Sequence, residues 1–390
     1  MNTYHDSDTL NPENFKILDN LMSFIHTRAE LYLFGAGAYG KAFAHYLHEV
    51  DIKISGYIES APNTDKCVDG NCIISLERFH EIWEKDKTGI ILCVNVALYP
   101  ETLGKLLLYG KDLFLLPEYF KYQVLDHYEF KHALIWHMTF HCNFACYGCS
   151  GCSPVANHGF YDYDMFLREL ERFRFLYQGS GVSPTFNFTG GEPTLHPKFT
   201  DFLKSAREIF PDSMVTFYTN GLHLQQMPDS FFRDIAETRA LMMITKLPIK
   251  YKWDDCLKQI RHYGVPVTFT PDTQGIDKVS WKYPLSVKKD ANRTDFLLCT
   301  YMQSAYTISN GKIYSCHKPI TQRRLQDKFD INFGKDNDGA DIFSASLNEI
   351  EEILRKRQHF CDRCDLRGVK SLGKWMPSKR KLSEWSSDDE

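Results

Sequence analysis

Three closely spaced cysteines constrain this chain more than any other feature of its sequence. Cys142, Cys146 and Cys149 follow the pattern C-x3-C-x2-C, directly after an apolar run that predicts a strand. Cysteine thiolates hold cubane iron–sulfur clusters, and this spacing lets one loop supply three ligands while the fourth iron stays open to a small molecule. With His141 or His158 the same thiolates would suit zinc, so the residues alone leave both metals open. We call residues 142–149 the cysteine loop.

The composition is that of a soluble globular protein with room for more than one domain. Its 390 residues are 43% hydrophobic and 25% charged, and the formal net charge is −4. With no long basic block we expect no nucleic-acid partner. An apolar run of membrane-spanning length and a signal peptide are not apparent in the sequence, so we expect no membrane association and a cytoplasmic location.

Twelve cysteines are many for a protein of a reducing compartment, where grouped thiolates usually hold metal. Seven fall into two groups with the spacing of metal ligands. The first group is the cysteine loop, and the second is Cys299, Cys316, Cys361 and Cys364. We find no such grouping for the other five, which are Cys67, Cys72, Cys93, Cys152 and Cys256.

The alternation of apolar runs and helical patterns predicts an α/β protein. Residues 1–125 predict a Rossmann-like parallel sheet. Residues 126–295 contain about five β/α units, which predicts a partial TIM-like barrel. Residues 296–370 predict a small domain of a β-hairpin and a helix that binds metal. The last segment, 371–390, is a polar tail that we expect to be frayed.

A second motif lies about forty residues after the cysteine loop. The predicted strand at residues 186–189 runs into Gly190, Gly191 and Glu192, which we call the GGE turn. Glycines at the end of a strand allow the backbone to approach a ligand closely. Parallel β/α folds bind ligands at this end of their strands. The carboxylate of Glu192 would be able to meet an amino group there.

Three features in this order resemble the radical S-adenosylmethionine (SAM) superfamily, over about residues 130–295. They are the cysteine loop, the GGE turn with Pro193, and the predicted strand that is followed by Asn220-Gly221. The resemblance implies an enzyme with a [4Fe–4S] cluster on the cysteine loop. SAM would chelate the open iron, and the GGE turn would hold its amino group. An electron from a donor such as flavodoxin or ferredoxin would lead to a 5′-deoxyadenosyl radical, which abstracts hydrogen from a substrate. No catalytic residue is assigned beyond the cluster ligands.

Three further residues are candidates for contacts to SAM. The family commonly has an aromatic residue directly before the third cysteine, whereas this chain has Gly148 there and Tyr147 one position earlier. We therefore place Tyr147 near the adenine. Thr219 and Asn220 either line the ribose of SAM or serve the turn at Asn220-Gly221. We interpret Cys152 as a spare thiol.

The second cysteine group predicts another metal centre. A hairpin is expected at Asn310-Gly311, between Cys299 and Cys316, and Cys361 and Cys364 form a C-x2-C pair. On spacing alone, zinc and iron–sulfur are equal alternatives. The order of these residues resembles the twitch domain, the short form of the SPASM domain of radical SAM enzymes. That resemblance implies an auxiliary [4Fe–4S] cluster with four cysteine ligands that takes part in electron transfer.

The N-terminal part contains a glycine-rich loop between a predicted strand and a helix. Gly35, Gly37 and Gly40 form the pattern G-x-G-x-x-G, and Glu59 ends the next predicted strand. Such glycines bring pyrophosphate to a helix N-terminus, and the acidic residue accepts a ribose hydroxyl. We expect this loop either to bind a nucleotide, a sugar nucleotide or, less favoured, NAD, or to belong to a scaffold without a ligand. It resembles the nucleotide-binding domains that precede sugar acyltransferases.

Taken together, these features predict a radical SAM enzyme of the oxidoreductase or epimerase type. Its partner would be a small polar substrate, such as a sugar or sugar nucleotide, that is oxidised or epimerised. One alternative is a peptide-modifying maturase of the SPASM type. Another is a zinc-stabilised nucleotide-binding scaffold without radical chemistry.

Overall fold

The structure is a computed structural model that describes residues 11–60, 66–270, 279–287, 290–299, 305–334 and 338–388. The chain folds into two compact units. The first unit contains the described residues up to Phe130 together with Asn292–Cys299, and the second contains the described residues of Lys131–Ala291 and 305–388. None of the described helices is long and apolar enough to cross a membrane.

The unit boundaries differ from the predicted divisions at residues 125 and 295. Residue 125 lies inside a helix, Glu118–Tyr128, and the segment Asn292–Cys299 belongs to the first unit. The reason is packing: the Tyr46 hydroxyl donates to the Thr294 carbonyl at 3.0 Å, and the Tyr46 ring lies 5.2 Å from that of Phe296. A segment that returns to an earlier unit cannot be recognised from chain order.

The first unit is an α/β fold with one six-stranded sheet. The strands in the order β3-β4-β2-β1-β5-β6 are parallel except for the β3–β4 hairpin. The strands are β1 (Glu30–Phe34), β2 (Gly56–Glu59), β3 (Cys67–Val68), β4 (Asn71–Ser75), β5 (Thr88–Leu92) and β6 (Leu113–Leu115). The helices are α1 (Pro12–His26), α2 (Ala38–Glu49), α3 (Leu76–Ile82), α4 (Tyr99–Leu106) and α5 (Glu118–Tyr128).

The core of this unit follows from its continuous apolar strands. All five residues of β5 are buried, as expected for a central parallel strand covered on both faces. Helix α1 begins where the Asn11 side chain accepts a 2.8 Å hydrogen bond from the Glu13 N–H and Pro12 takes the first turn.

The second unit contains a mixed sheet in the order β11-β10-β9-β8-β7-β13-β14-β15, which does not close into a barrel among the described strands. The strands from β11 to β7 and on to β13 are parallel, and β13–β14–β15 continue antiparallel. The strands are β7 (Ala133–Thr139), β8 (Thr185–Gly190), β9 (Val215–Thr219), β10 (Leu241–Ile244), β11 (Val267–Phe269), β12 (Val279–Lys282), β13 (Tyr306–Ser309), β14 (Lys312–Tyr314), β15 (Ala340–Asp341) and β16 (Lys370–Lys374). The helices are α6 (Tyr163–Tyr177), α7 (Phe199–Ile209), α8 (Asp229–Thr238), α9 (Trp253–His262), α10 (Lys318–Thr321), α11 (Arg323–Phe329) and α12 (Leu347–Arg355).

This sheet joins two parts that we predicted to be separate. The predicted hairpin at Asn310-Gly311 is present, but its first strand, β13, pairs with β7 in parallel, so the hairpin extends the sheet of the predicted barrel. Buried Glu169 of α6 ties the parts together. Its carboxylate accepts hydrogen bonds from the Trp136 indole at 2.8 Å, the Tyr161 hydroxyl at 2.8 Å and the Gly311 N–H at 2.7 Å.

The two faces of β7 have different neighbours. The Trp136 ring packs against Phe166 and Phe173 of α6, with ring centroids 5.4 and 5.9 Å away. Because successive side chains of a strand point to opposite faces, the adjacent His137 faces away from α6. The His137 ring is stacked at 6.1 Å on His317, which follows β14.

The expectation of a frayed C-terminal tail is wrong for the described residues up to 388. Strand β16 pairs antiparallel with β12, and Trp385 is only 1% exposed. Trp385 packs in a small apolar core with Cys152, Leu285 and Leu325. The polar composition suggested fraying, because it does not show that a single buried side chain, Trp385, holds the segment in place. We call residues 370–387 the C-terminal segment.

Candidate active site at the carboxyl ends of β7, β8 and β9

Three loops that are far apart in sequence meet at one edge of the larger sheet. The cysteine loop follows β7, the GGE turn follows β8, and Asn220 follows β9. These strands are parallel neighbours, with Trp136 of β7 beside Phe188 of β8, which in turn lies beside Phe217 of β9. Their carboxyl ends therefore lie side by side, at the edge where open α/β sheets bind ligands.

The GGE turn packs directly on the backbone that leads into the cysteine loop. A Cβ on Gly191 would lie 1.8 Å from the His141 carbonyl oxygen, and one on Gly190 would lie 2.4 Å from that of Thr139. Gly190 also has a φ of 136°, which favours glycine. The Glu192 N–H donates to the His141 carbonyl at 3.2 Å. Both glycines are therefore required by the contact between the two loops, before any ligand is considered.

The Glu192 side chain is committed to the protein itself. It is 1% exposed. Its Oε1 accepts hydrogen bonds from the Thr194 N–H at 3.2 Å, the Thr194 hydroxyl at 2.6 Å and the Thr219 hydroxyl at 2.7 Å, and its Oε2 accepts one from the Asn220 N–H at 2.8 Å. Burial raises its pKa, and these four donors oppose that rise. The geometry makes Glu192 a brace between the ends of β8 and β9.

Asn220 links this brace to the cysteine loop. Its side-chain amide donates to the side-chain oxygen of Asn143, Oδ1, at 2.7 Å and reaches the Sγ of Cys142 at 3.6 Å. The side-chain oxygen of Asn220, Oδ1, accepts from the Leu222 N–H at 2.9 Å. The backbone and side chain of Asn220 thus hold two loops at once.

Thr219 lies inside this network as well. It is 3% exposed, donates to Glu192 and accepts from the Gly221 N–H at 2.9 Å. Of the two roles considered for Thr219 and Asn220, the structure contains the turn at Asn220-Gly221. A contact to the ribose of SAM stays a prediction.

The cysteine loop fits an iron–sulfur cluster by its donor chemistry. Its three thiols are partly exposed, and the Sγ of Cys142 accepts from the Phe144 N–H at 3.4 Å. Burial first, then the charge of Glu192, raises the pKa of Cys142 to about 12, and Cys146 and Cys149 add to the rise. In the described part of the chain, however, no three histidine, cysteine or acidic side chains form a ready-made metal-binding group.

The C-terminal segment covers the cysteine loop. The Tyr147 N–H donates to the Met376 carbonyl at 2.9 Å, and the Ser378 N–H donates to the Ala145 carbonyl at 3.0 Å. The Trp385 indole donates to the Cys149 carbonyl at 2.8 Å. Sequence reasoning missed this cover, because nothing in the pattern of the tail marks its partner.

The position before the third cysteine is explained by a close contact with β12. Gly148 has a φ of 59°, and a Cβ there would lie 2.6 Å from the Trp281 carbonyl oxygen. An aromatic residue, which the family commonly has here, would not fit. The predicted role of Tyr147 beside adenine stays a prediction.

The second cysteine group is divided between the two units. Cys299 belongs to the first unit, while Cys316, Cys361 and Cys364 belong to the second. Cys316 follows β14, and the C-x2-C pair lies at a 3-10 helix, His359–Arg363. An auxiliary metal centre at these residues stays a prediction.

The glycine loop of the first unit has the expected local form. Gly35 has a φ of 107° and follows β1, and a Cβ on Gly40 would lie 1.9 Å from the Gly35 carbonyl oxygen. Gly37 precedes α2 as its N-cap, and a Cβ there would meet no protein atom within 4 Å. Glu59 ends β2 as predicted. Space for a ligand is therefore left at Gly37, whereas Gly40 is required by the turn itself.

One cysteine pair escaped the sequence analysis. Cys67 and Cys72 are directly opposite each other in the β3–β4 hairpin, both are exposed, and their sulfurs lie 3.4 Å apart. The spacing of these two residues does not resemble that of metal ligands, so the sequence pattern did not single them out. The hairpin turn at Asp69-Gly70 was the missed signal, since it places residues five apart face to face.

A family model matches the part of the chain that contains this site. Residues 136–245 match the model of the Radical SAM superfamily. No curated protein matches the sequence. The matched residues contain the cysteine loop, the GGE turn and Asn220.

Several solved structures are similar to parts of this chain. BtrN in complex with AdoMet and 2-DOIA is 15% identical, with a TM-score of 0.38, and the match covers 60% of this chain and 93% of that one. Native anSMEcpe with bound AdoMet is 13% identical, with a TM-score of 0.39, covering 57% and 81%. Streptococcus suis SuiB bound to precursor peptide SuiA is 12% identical, with a TM-score of 0.31, covering 70% and 83%.

The family match and the arrangement of the three loops agree on the same residues. Residues 136–245 of this chain are therefore similar to the Radical SAM superfamily, and membership of that superfamily would imply SAM and a [4Fe–4S] cluster as cofactors.

Proposed function

We propose that this protein is a radical SAM enzyme whose [4Fe–4S] cluster is held by Cys142, Cys146 and Cys149. The observation that carries the proposal is the network centred on Asn220, which joins the cysteine loop to the brace at Glu192. When bound, the cluster and SAM supply a one-electron cleavage that yields a 5′-deoxyadenosyl radical able to abstract hydrogen. The chain itself orients the thiols and covers part of the loop.

Specific residues perform these two tasks. The Asn220 amide and the Phe144 N–H both point at the Sγ of Cys142, and donors of this kind orient a metal ligand and tune its charge. The C-terminal segment covers the cysteine loop through Trp385 and its neighbours. With Glu192 occupied by internal donors, the backbone of the GGE turn is the candidate for the amino group of SAM.

For the substrate we propose a small polar molecule, such as a sugar or sugar nucleotide, that is oxidised or epimerised. The first unit supports this through its strand order, because β4-β2-β1-β5-β6 is the order of a Rossmann-like sheet. We assign the open position at Gly37 to a nucleotide or a nucleotide-linked sugar. An electron donor such as flavodoxin or ferredoxin would be the second partner.

We further propose an auxiliary [4Fe–4S] cluster on Cys299, Cys316, Cys361 and Cys364. Four thiolates saturate a cubane cluster, so this one would serve electron transfer. Protein reconstituted with iron and sulfide under anaerobic conditions should then carry about eight irons. One tightly bound zinc in place of the second cluster would remove this assignment.

The central claim is tested by replacing the ligands one at a time. In Cys142→Ala, Cys146→Ala and Cys149→Ala the first cluster loses a ligand, so formation of 5′-deoxyadenosine from SAM with dithionite should fall to background. Cys152→Ala is the matched control, since the Cys152 sulfur is buried against the Gln322 side chain at 3.6 Å. Wild-type cleavage by the Cys146→Ala protein would refute the proposal.

A further inference from the structure

We propose that a buried basic group beside the cysteine loop binds an oxyanion of the substrate, a phosphate or a carboxylate. The group consists of Lys318 and Arg324, with His137 and His317 next to them. The inference rests on the proposed function, because it names the substrate class of the same site. It explains a local excess of positive charge in a chain whose formal net charge is −4.

Lys318 carries the argument furthest. Its side chain is on α10 and the residue is only 5% exposed, yet the ammonium has no hydrogen-bond partner among the described residues. Its neighbour is the Tyr283 ring, whose centroid is 5.8 Å from the Nζ. A buried ammonium without a partner is costly, and chains retain one where an anion compensates it.

Arg324 adds a second buried cation, for which the described part of the chain shows no carboxylate partner. The residue is 8% exposed, its Nη1 donates to the Gly151 carbonyl, and its guanidinium carbon lies 5.2 Å from the Phe140 ring centroid. Neither the carbonyl nor the ring carries a negative charge that would balance the guanidinium. Arginine is suited to bidentate contacts with phosphate and carboxylate.

His137 adds an uncharged polar side chain to the group. Burial, together with the charge of Arg324, lowers its pKa to about 3, so the imidazole is uncharged at neutral pH. Its Nδ1 has no hydrogen-bond partner among the described residues. An uncharged imidazole nitrogen can donate to an oxyanion oxygen without adding a further charge.

The group lies against the loop that bears the cluster ligands. The Thr321 hydroxyl donates to the Ser150 carbonyl at 3.2 Å, and Arg324 binds the next residue, Gly151. An oxyanion held here would keep the rest of the substrate at the carboxyl edge of β7. The rival occupant is the cluster itself, because Cys149 and Cys152 are the charge partners of Arg324.

Anion binding to the reconstituted protein, without reductant, tests the inference. Inorganic phosphate, pyrophosphate and acetate are the probes, measured by titration calorimetry. We expect at least one of these probes to bind. Tighter binding of phosphate or pyrophosphate would indicate a phosphate-bearing substrate, and tighter binding of acetate would indicate a carboxylate. Lys318→Met should weaken that binding about tenfold or more, and Lys318→Arg should restore most of it. Lys258→Met on α9, whose side chain is 76% exposed, is the matched control with unchanged affinity.

Two results would overturn the inference. One is wild-type protein that binds none of the three probes. The other is unchanged anion affinity in Lys318→Met and in Arg324→Gln, together with a shifted midpoint potential of the first cluster, which would assign the cations to the cluster. Since binding is measured without SAM cleavage, failure of the radical reaction leaves this test interpretable.

Discussion

The side-chain amide of Asn220 reaches the Sγ of Cys142 at 3.6 Å, while the Asn220 N–H is bound to the carboxylate of Glu192 at 2.8 Å. One residue at the end of β9 therefore holds the loops that follow β7 and β8. Any change that moves β9 relative to its neighbours will move the proposed cluster ligand. This relationship leads to the first prediction.

Asn220→Ala should lower SAM cleavage about 10- to 100-fold, the usual effect of removing a residue that orients a metal ligand. The Glu192 contact survives, because it uses the backbone, so the fold should persist. Iron content and 5′-deoxyadenosine formation measure the effect. Asn71→Ala, an exchange in the β3–β4 hairpin, is the control with wild-type activity. Equal activity of both variants would exclude the orienting role.

Replacing Trp385 should loosen the cover of the cysteine loop in two steps. Trp385→Phe keeps an aromatic ring, although a smaller one, and removes the 2.8 Å bond to the Cys149 carbonyl, so it should cost at least about 1 kcal/mol of unfolding free energy. Trp385→Ala also removes buried ring surface, and should cost about 3–5 kcal/mol. Denaturant unfolding measures both, and cluster loss in air should accelerate in the same order. Wild-type stability of the Trp385→Phe protein would contradict the predicted role of the indole N–H.

The buried carboxylate of Glu169 should give the stability a pH dependence. Burial raises its pKa above 4.5, so the folded protein binds this proton more tightly than the unfolded chain. The stability that Glu169 contributes is therefore greatest below about pH 4.5 and declines as the pH rises through the folded pKa. In Glu169→Gln this decline should disappear.

Denaturant unfolding of the wild-type and Glu169→Gln proteins, from below about pH 4.5 upward, measures this difference. Glu171→Gln on the same helix is the control, because Glu171 pairs with Arg174 at the surface and such pairs contribute about 0–1 kcal/mol. A Glu169→Gln protein with the same pH dependence as wild type would show that Glu169 does not titrate as expected.

Gly37→Val should weaken nucleotide binding in the first unit and leave SAM cleavage near the wild-type rate. The added side chain meets no protein atom within 4 Å at its Cβ, so it would occupy only the space at the N-terminus of α2. Calorimetric titration with nucleotides and sugar nucleotides measures it. Gly104→Val on α4 is the control, since its Cβ is equally free. If no nucleotide binds the wild-type protein, the unit is a scaffold.

Much of the fold was predictable because it depends on local patterns. Apolar runs separated by amphipathic stretches predicted about five β/α units in residues 126–295, and the structure contains the strands β7 to β11 there. Hairpin chemistry placed the turn at Asn310-Gly311. The pairing of β13 with β7 was not predictable, because strand order depends on contacts between segments more than 160 residues apart.

The candidate site shows the same division. The cysteine loop and the GGE turn are each formed by residues that are close together in the sequence. Their residue types and spacing were therefore enough to predict the resemblance to the family. That Glu192 braces Thr219 and Asn220 depends on how two neighbouring strands end.

The sequence by itself determined the proposed cluster ligands, the glycines and the alternation of strands and helices, because each follows from spacing along the chain. Only the tertiary structure decided that the polar C-terminal segment covers the cysteine loop and that Gly148 faces the Trp281 carbonyl. It alone also brought Lys318 and Arg324 beside that loop. The physical reason is that burial and hydrogen-bond partners are properties of the packed chain, in which residues distant in sequence exclude water from one another.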